Sequence, residues 1–304
     1  MKYGKLPIKF VITVPWEALC VDLIGPYTLK GKDSSQIDFM CLTMIDPASS
    51  CFKIVELPVV EIVPTTSSVR KGKGHEHNTT KEAYFDKSSA MISTLVNKTW
   101  FSLYPRCQYI IYDNGSEFKL HFETLCDSNG IKHKPTSVKN PQANSILEQV
   151  HRVIMTMLWT TEIDMAMSVA PRDIDAFLTN AAWAIRSTYH TVLKASPGAA
   201  IFGRDMLFDI PYIADWNKIG KFRQRQTDHN TERENKSWLD YDYKVGDKVL
   251  IRKDGILRKA ESPYHREPWT ITSVHTNGTI RVTRGTKSER INIQRVTLFF
   301  ENKN

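Results

Sequence analysis

No two of the five cysteines stand as Cys-x-x-Cys, and most lie inside apolar runs: Cys20, Cys41, Cys51, Cys107 and Cys126. That spacing argues against a disulfide framework or a cysteine zinc site and reads as buried free thiols of a reducing compartment. No apolar stretch approaches the roughly 20 residues that a bilayer span needs. The run after Lys9 is interrupted by Pro15, Glu17 and Asp22, with no small-residue cleavage site after it, so it does not read as a signal peptide. No internal repeat stands out. Charge is out of balance in one region only, through an excess of Lys and Arg. From Asp215 to Asn304 there are 19 Lys and Arg against 12 Asp and Glu, a net of +7, whereas residues 1–214 carry 22 against 21, a net of +1.

What is present is ordinary globular material. The 304 residues are 41% hydrophobic and 24% charged, enough for about two domains. A near-neutral first part joined to a basic second part points to a polyanion met mainly by the C-terminal region, although a merely soluble basic surface would look the same.

The largely apolar run 18–24, ending at the Gly25-Pro26 turn, reads as a central strand covered on both faces. Phe39–Ile45 and Phe52–Leu57 read as a hairpin around Asp46-Pro47-Ala48-Ser49-Ser50. Residues 61–81 are polar, rich in Thr, Ser, Lys and Gly, and read as a disordered surface insertion. A helical pattern over Ala90–Leu103 precedes a strand ending at Tyr112, a helix closed by Asn129-Gly130, and a loop over Lys134–Asn144. Apolar spacing then gives a helix over Ile146–Trp159, and another helix follows over Asp173–Thr188. Strands alternating with helices argue for a mixed α/β sheet layered by helices. Asn217–Tyr243 is polar, a linker or an exposed helix. Short β-type runs follow at 248–252, 269–274, 279–283 and 290–293, with the hairpin signal Asn277-Gly278, and suggest a small all-β barrel.

Three acids sit in informative settings. Asp22 lies in the first apolar run, and Asp113 ends the run Tyr109-Ile110-Ile111-Tyr112 and opens Asp113-Asn114-Gly115-Ser116-Glu117-Phe118. Glu148 lies just inside the helix that follows Asn140-Pro141-Gln142. Two strand-end aspartates and one helix glutamate can converge on a pair of divalent cations about 3.5–4 Å apart, which activates an attacking oxygen and stabilises a leaving one at phosphorus. Each acid alone reads as well as a cap or a solvated group.

The segments Asp113–Phe118 and Asn140-Pro141-Gln142-Ala143-Asn144-Ser145-Ile146-Leu147-Glu148 resemble the core of retroviral and gypsy-type LTR-retrotransposon integrases over roughly 16–205. Ser262-Pro263-Tyr264, Trp269-Thr270-Ile271, Asn277-Gly278-Thr279-Ile280 and Glu289–Ile293 are similar to that group's C-terminal module. The resemblance implies a ribonuclease H-like mixed sheet flanked by helices, then a small all-β barrel. It also implies Mg²⁺ or Mn²⁺, two ions, held by Asp22, Asp113 and Glu148, with trimming of 3′ DNA ends and their joining to target DNA. Double-stranded DNA, a homo-oligomer and a nuclear location follow, with no membrane and no small-molecule substrate. The implied order is a tail at 1–15, the core at 16–205 with the insertion at 61–84, a linker at 206–243, the DNA-binding barrel at 244–300 and a tail at 301–304.

The chain departs from the pattern in places. Thirty-four residues separate Asp113 from Glu148, one fewer than usual; Ser145 and Ser262 stand where Gly is common. Met1–Pro7 looks like the segment that follows a His/Cys zinc module, so a processed piece, a truncated copy or a fragmentary gene model is expected. Candidate DNA contacts are Asn144, His151 and Arg152 near the triad, and Arg252, Lys253, Arg258, Lys259, Arg281 and Arg284 on the barrel, where Trp269 reads as core before surface. The rival readings are a co-opted DNA- or chromatin-binding chain without chemistry, and another ribonuclease H-like nuclease or transposase.

Overall fold

The computed structural model describes residues 3–7, 10–62, 82–136, 145–164, 170–253, 261–276 and 278–299. Its first sheet has five strands in the order β3-β2-β1-β6-β7. Strands β1 (Ala18–Lys30), β2 (Gln36–Ile45) and β3 (Phe52–Glu56) form an antiparallel meander, and β6 (Tyr109–Tyr112) and β7 (Lys132–Pro135) add in parallel. A parallel addition needs a crossover, and α1 (Ser89–Val96) and α2 (His121–Ser128) supply two. A two-stranded ribbon, β4 (Val59–Ile62) with β5 (Glu82–Phe85), flanks the segment read as an insertion; residues 63–81 lie outside the described residues.

Period-two alternation assigns the sheet's faces. Leu19, Val21, Leu42 and Met44 face α1 and α2, where Trp100, Phe118 and Phe122 close one core. Ala18, Cys20, Ile24, Phe39 and Cys41 face α3 (Ser145–Asp164) and α4 (Pro171–Ser187), where Leu147, Ile154 and Phe177 close the other. All five cysteines are buried and free, as their apolar settings indicate.

Two sequence expectations need correction. Gly25-Pro26 does not end the first strand. The chain bulges there, with Gly25 at φ +102°, and pairing with β2 resumes at Tyr27↔Phe39. A Cβ at Gly25 would meet the Phe39 carbonyl, so the bulge requires glycine. The stretch from Lys134 onward is not all loop, because β7 runs over Lys132–Pro135. Of the two readings of Asn217–Tyr243, linker or exposed helix, the helix holds for most of it: α6 spans Trp216–Asn235, preceded by the short α5 (Pro197–Phe202).

The second sheet is antiparallel, in the order β11-β10-β9-β8-β12, with β8 (Lys248–Ile251), β9 (Trp269–His275), β10 (Thr279–Arg284), β11 (Lys287–Asn292) and β12 (Val296–Leu298). Its core of Val249, Ile251, Trp269, Ile271, Ile280, Val282 and Ile291 includes one residue from the far end of the chain, Leu6. Tyr3 bridges to Leu239, and the Gly4 amide donates to the Leu239 carbonyl at 3.0 Å. The Asn235 carboxamide accepts from the Leu6 amide at 2.7 Å and donates to the Leu6 carbonyl at 2.9 Å. Further on, the Val11 amide donates to Gln224 on α6 at 3.1 Å, and Ile12 packs against the α3–α4 core. The N-terminal residues, read as a tail, therefore tie the barrel to α6 and to the first sheet. Asn235→Ala removes both bonds to Leu6 and should lower the stability of the full chain by about 1–2 kcal/mol. Equilibrium urea unfolding checks this; an unchanged midpoint would mean that the segment is not held there in solution.

Candidate active site

Asp22 lies in the middle of β1, not at its end, with Thr43 of β2 as its cross-strand partner. Alternation with Cys20 and Ile24 turns it to the α3 side of the sheet. The Leu23 amide donates to its Oδ1 at 2.9 Å. Burial pushes its pKa from 3.8 up to about 6, with the Asp113 carboxylate the next cause and those of Glu148 and Glu117 adding to it. The Leu23 amide opposes the shift without cancelling it.

Asp113 is the first residue after β6, as the sequence indicates, and its side chain is exposed. Its Oδ1 accepts from the Gly115 amide at 3.0 Å, which folds the chain over at the strand end. Asn114 Nδ2 donates to the Thr136 carbonyl at 2.9 Å, and the Thr136 amide donates to the Tyr112 carbonyl at 2.7 Å, so the ends of β6 and β7 are tied beside the acid. Glu117 follows on a single 3-10 turn, Ser116–Phe118, anchored by the buried Phe118. A Cβ at position 115 would meet the Glu117 carboxylate, which would have to swing aside from its present place. Glu117 is a site neighbour to which no role was assigned from the sequence; a second acid two residues beyond a glycine turn was the available signal.

Glu148 is exposed in the first turn of α3. One turn on, His151 does not reach outward to phosphate as expected. It is half-buried, and its Nε2 shares a 2.9 Å hydrogen bond with Thr43 Oγ1, which in turn stands 3.0 Å from the Asp22 carbonyl. Desolvation lowers the His151 pKa from 6.5 to about 4, so the ring is neutral near pH 7. Thr43 and His151 thus pin the helix bearing Glu148 to the strand bearing Asp22. Arg152 is exposed on α3. Asn144 lies outside the described residues.

Carboxylates crowding Asp22 form an all-oxygen donor set, which suits hard cations such as Mg²⁺ or Mn²⁺. A divalent cation would relieve the repulsion that raises Asp22. Among the described residues, no three His, Cys, Asp or Glu side chains are gathered closely enough to ligate one ion. The acids are electrostatic neighbours rather than a closed ligand set, and their donor chemistry is what fits the metal.

On the barrel, Arg252 and Arg281 are exposed. Lys253 pairs with Glu261 at 2.6 Å; Arg284 pairs with Glu267 and lies 4.9 Å over the Trp269 ring. Trp269 is core, 6% exposed. Arg258 and Lys259 lie outside the described residues. No described helix is long and apolar enough to cross a membrane.

No family model matches the chain. Over 137 residues it is 27% identical to the uncharacterized protein K02A2.6 of Caenorhabditis elegans, a match covering 42% of this chain and 10% of that protein. The chain thus spans about a tenth of the length of the curated relative it matches. Among solved structures, the HTLV-2 integrase catalytic core domain in complex with magnesium is 15% identical, covering 61% of this chain and 95% of that one, with a TM-score of 0.38. A chain of the simian T-cell lymphotropic virus intasome, determined by cryo-EM in complex with PP2A regulatory subunit B56 gamma, is 13% identical. That similarity covers 99% of this chain and 84% of the other at a TM-score of 0.58, and with the strand order above it establishes the architecture: a ribonuclease H-like mixed sheet flanked by helices, followed by a small antiparallel β domain.

Proposed function

We propose that the chain is a metal-dependent polynucleotidyl transferase of the gypsy-type integrase kind, which trims 3′ ends of retroelement DNA and joins them to target DNA. Residues 16–205 carry the chemistry and residues 244–300 form a DNA-binding barrel. The observation that carries this reading is the placement of Asp113, at the end of a strand adjacent to β1, and Glu148, on α3, as electrostatic neighbours of Asp22, which add to the rise that burial gives its carboxyl. Asp22, Asp113 and Glu148 would hold Mg²⁺ or Mn²⁺. When bound, the cations supply an activated oxygen nucleophile and neutralise charge on the leaving oxygen. The chain's own part is placement. Strand β1 fixes Asp22 in the sheet, the Asn114–Thr136 tie fixes the strand end at Asp113, and the Thr43–His151 bond fixes the helix of Glu148. Duplex DNA is the substrate, copies of this chain are the partners, and the nucleus is the place of action.

The test incubates the chain with a labelled duplex oligonucleotide and a plasmid target. Label should become covalently joined to plasmid in Mg²⁺ or Mn²⁺, and EDTA should abolish the joining. Duplex binding without joining under either metal would overturn the transferase reading in favour of a chain that holds DNA without acting on it.

A further inference from the structure

We infer that the outer face of α6 is a binding surface for the phosphate backbone of duplex DNA, separate from the barrel and resting on the proposed function for its choice of polyanion. Lys218, Lys221, Arg225, Arg233 and Lys236 are all exposed, and they recur with His229 at steps of three or four residues. Those steps keep every one within a single sector of the helix. Ile219, Gly220 and Thr231 are buried on the opposite side, where Arg223 donates to the Pro47 carbonyl in the turn between β2 and β3. The stripe therefore points away from the protein on a helix clamped at its back. None of the five Lys and Arg side chains is in an ion pair among the described residues, whereas on the barrel Lys253 and Arg284 are paired with acids. The acids within the sector are Glu232 and the N-cap Asp215, whose carboxylate accepts from the Lys218 amide. At its far end the stripe lines a cleft of about 570 Å³ with Lys5, His229, Glu232, Arg233, Asn235 and Lys236.

Dimensions favour a duplex. From Lys218 to Lys236 the helix rises about 27 Å at 1.5 Å per residue, which matches about eight base pairs at 3.4 Å each. Along the axis the Lys and Arg lie about 4.5–6 Å apart, save about 12 Å between Arg225 and Arg233, close enough for several to meet one phosphate strand. No Phe, Tyr or Trp is exposed on α6. A single strand would therefore find no ring on which to stack its bases.

The experiment uses the full chain without divalent metal, so it reads binding independently of chemistry. Fluorescence anisotropy on a labelled 20-base-pair duplex gives log affinity against log salt. Lys218, Lys221, Arg225 and Arg233 are all changed to Gln, with circular dichroism to confirm the fold, and a second variant changes Arg252 and Arg281 to Gln. Each lost phosphate contact lowers the slope by about 1, so the α6 variant should flatten by about 3–4, more than the barrel variant. Unchanged affinity and slope in a folded α6 variant would overturn the proposal and leave the stripe to an acidic protein or to solvent. A flattened slope in a chain that never joins DNA would remove the transferase reading and leave this surface standing.

Discussion

Asp113→Asn should abolish DNA joining while leaving the fold and the affinity for duplex DNA near those of the parent. The side chain is exposed at the end of β6, so it contributes little to packing. Its Oδ1 accepts a hydrogen bond from the Gly115 amide, and an asparagine Oδ1 accepts the same bond. What disappears is one negative charge among the carboxylates around Asp22. Losing several kcal/mol of charge stabilisation at phosphorus, at about 1.4 kcal/mol per decade, lowers the joining rate by about 10³-fold or more. Single-turnover joining in Mg²⁺ measures this, with circular dichroism and anisotropy as controls. If the folded variant joined DNA at near the parental rate, Asp113 would not be a metal ligand and the triad would have to be redrawn.

Glu117 bears on how that experiment is read. It is a third carboxylate acting on Asp22, two residues beyond Gly115. Residual activity in Asp113→Asn that vanished on adding Glu117→Gln would show that Glu117 substitutes for the lost ligand.

Much of this arrangement was legible because local signals agreed with tertiary ones. Tyr109–Tyr112 is an apolar run ended by Asp113-Asn114-Gly115, and a strand ends there. The apolar spacing after Ile146 gave α3 and placed Glu148 in its first turn. What the sequence hid depends on distant backbone. Strand β7 is Lys-His-Lys-Pro, mostly exposed, with no apolar period; it exists because Lys132–Pro135 pairs in register with Tyr109–Tyr112. Gly25-Pro26 carries a local stop signal that β2 overrides by pairing again at Tyr27. Helix α6 packs through Ile219, Gly220, Thr231 and the Arg223 guanidinium, a set too small and polar to give a strong apolar stripe. Leu6 in the barrel core and His151 turned to Thr43 are contacts across more than a hundred residues, which no local pattern encodes.

Asp22→Asn should stabilise the metal-free chain, and the gain should depend on pH. In the unfolded chain the carboxyl ionises near 3.8, whereas in the folded chain it ionises near 6. Below pH 3.8 both states hold the proton and the group costs nothing. As pH rises toward 6, the unfolded chain releases its proton first, so stability falls, and above 6 the full cost is present. A displacement of that size corresponds to about 3 kcal/mol at most, and partial solvent access reduces it to about 2–3 kcal/mol. Asparagine keeps the acceptor for the Leu23 amide and carries no charge. The variant should therefore exceed the parent by about 2–3 kcal/mol at pH 8 in EDTA, and the two should converge near pH 4. Magnesium should reverse the order. A cation bound among the carboxylates stabilises the parent by RT ln(1 + [L]/Kd), and the variant, lacking a ligand, gains far less. Urea unfolding at pH 4 and pH 8, with EDTA and with Mg²⁺, gives four comparisons. A variant less stable than the parent at pH 8 in EDTA would mean that neither burial nor the neighbouring acids raise Asp22. A gain that Mg²⁺ left untouched would mean that the acids repel one another without forming a metal site, and the chemistry assigned to them would lose its basis.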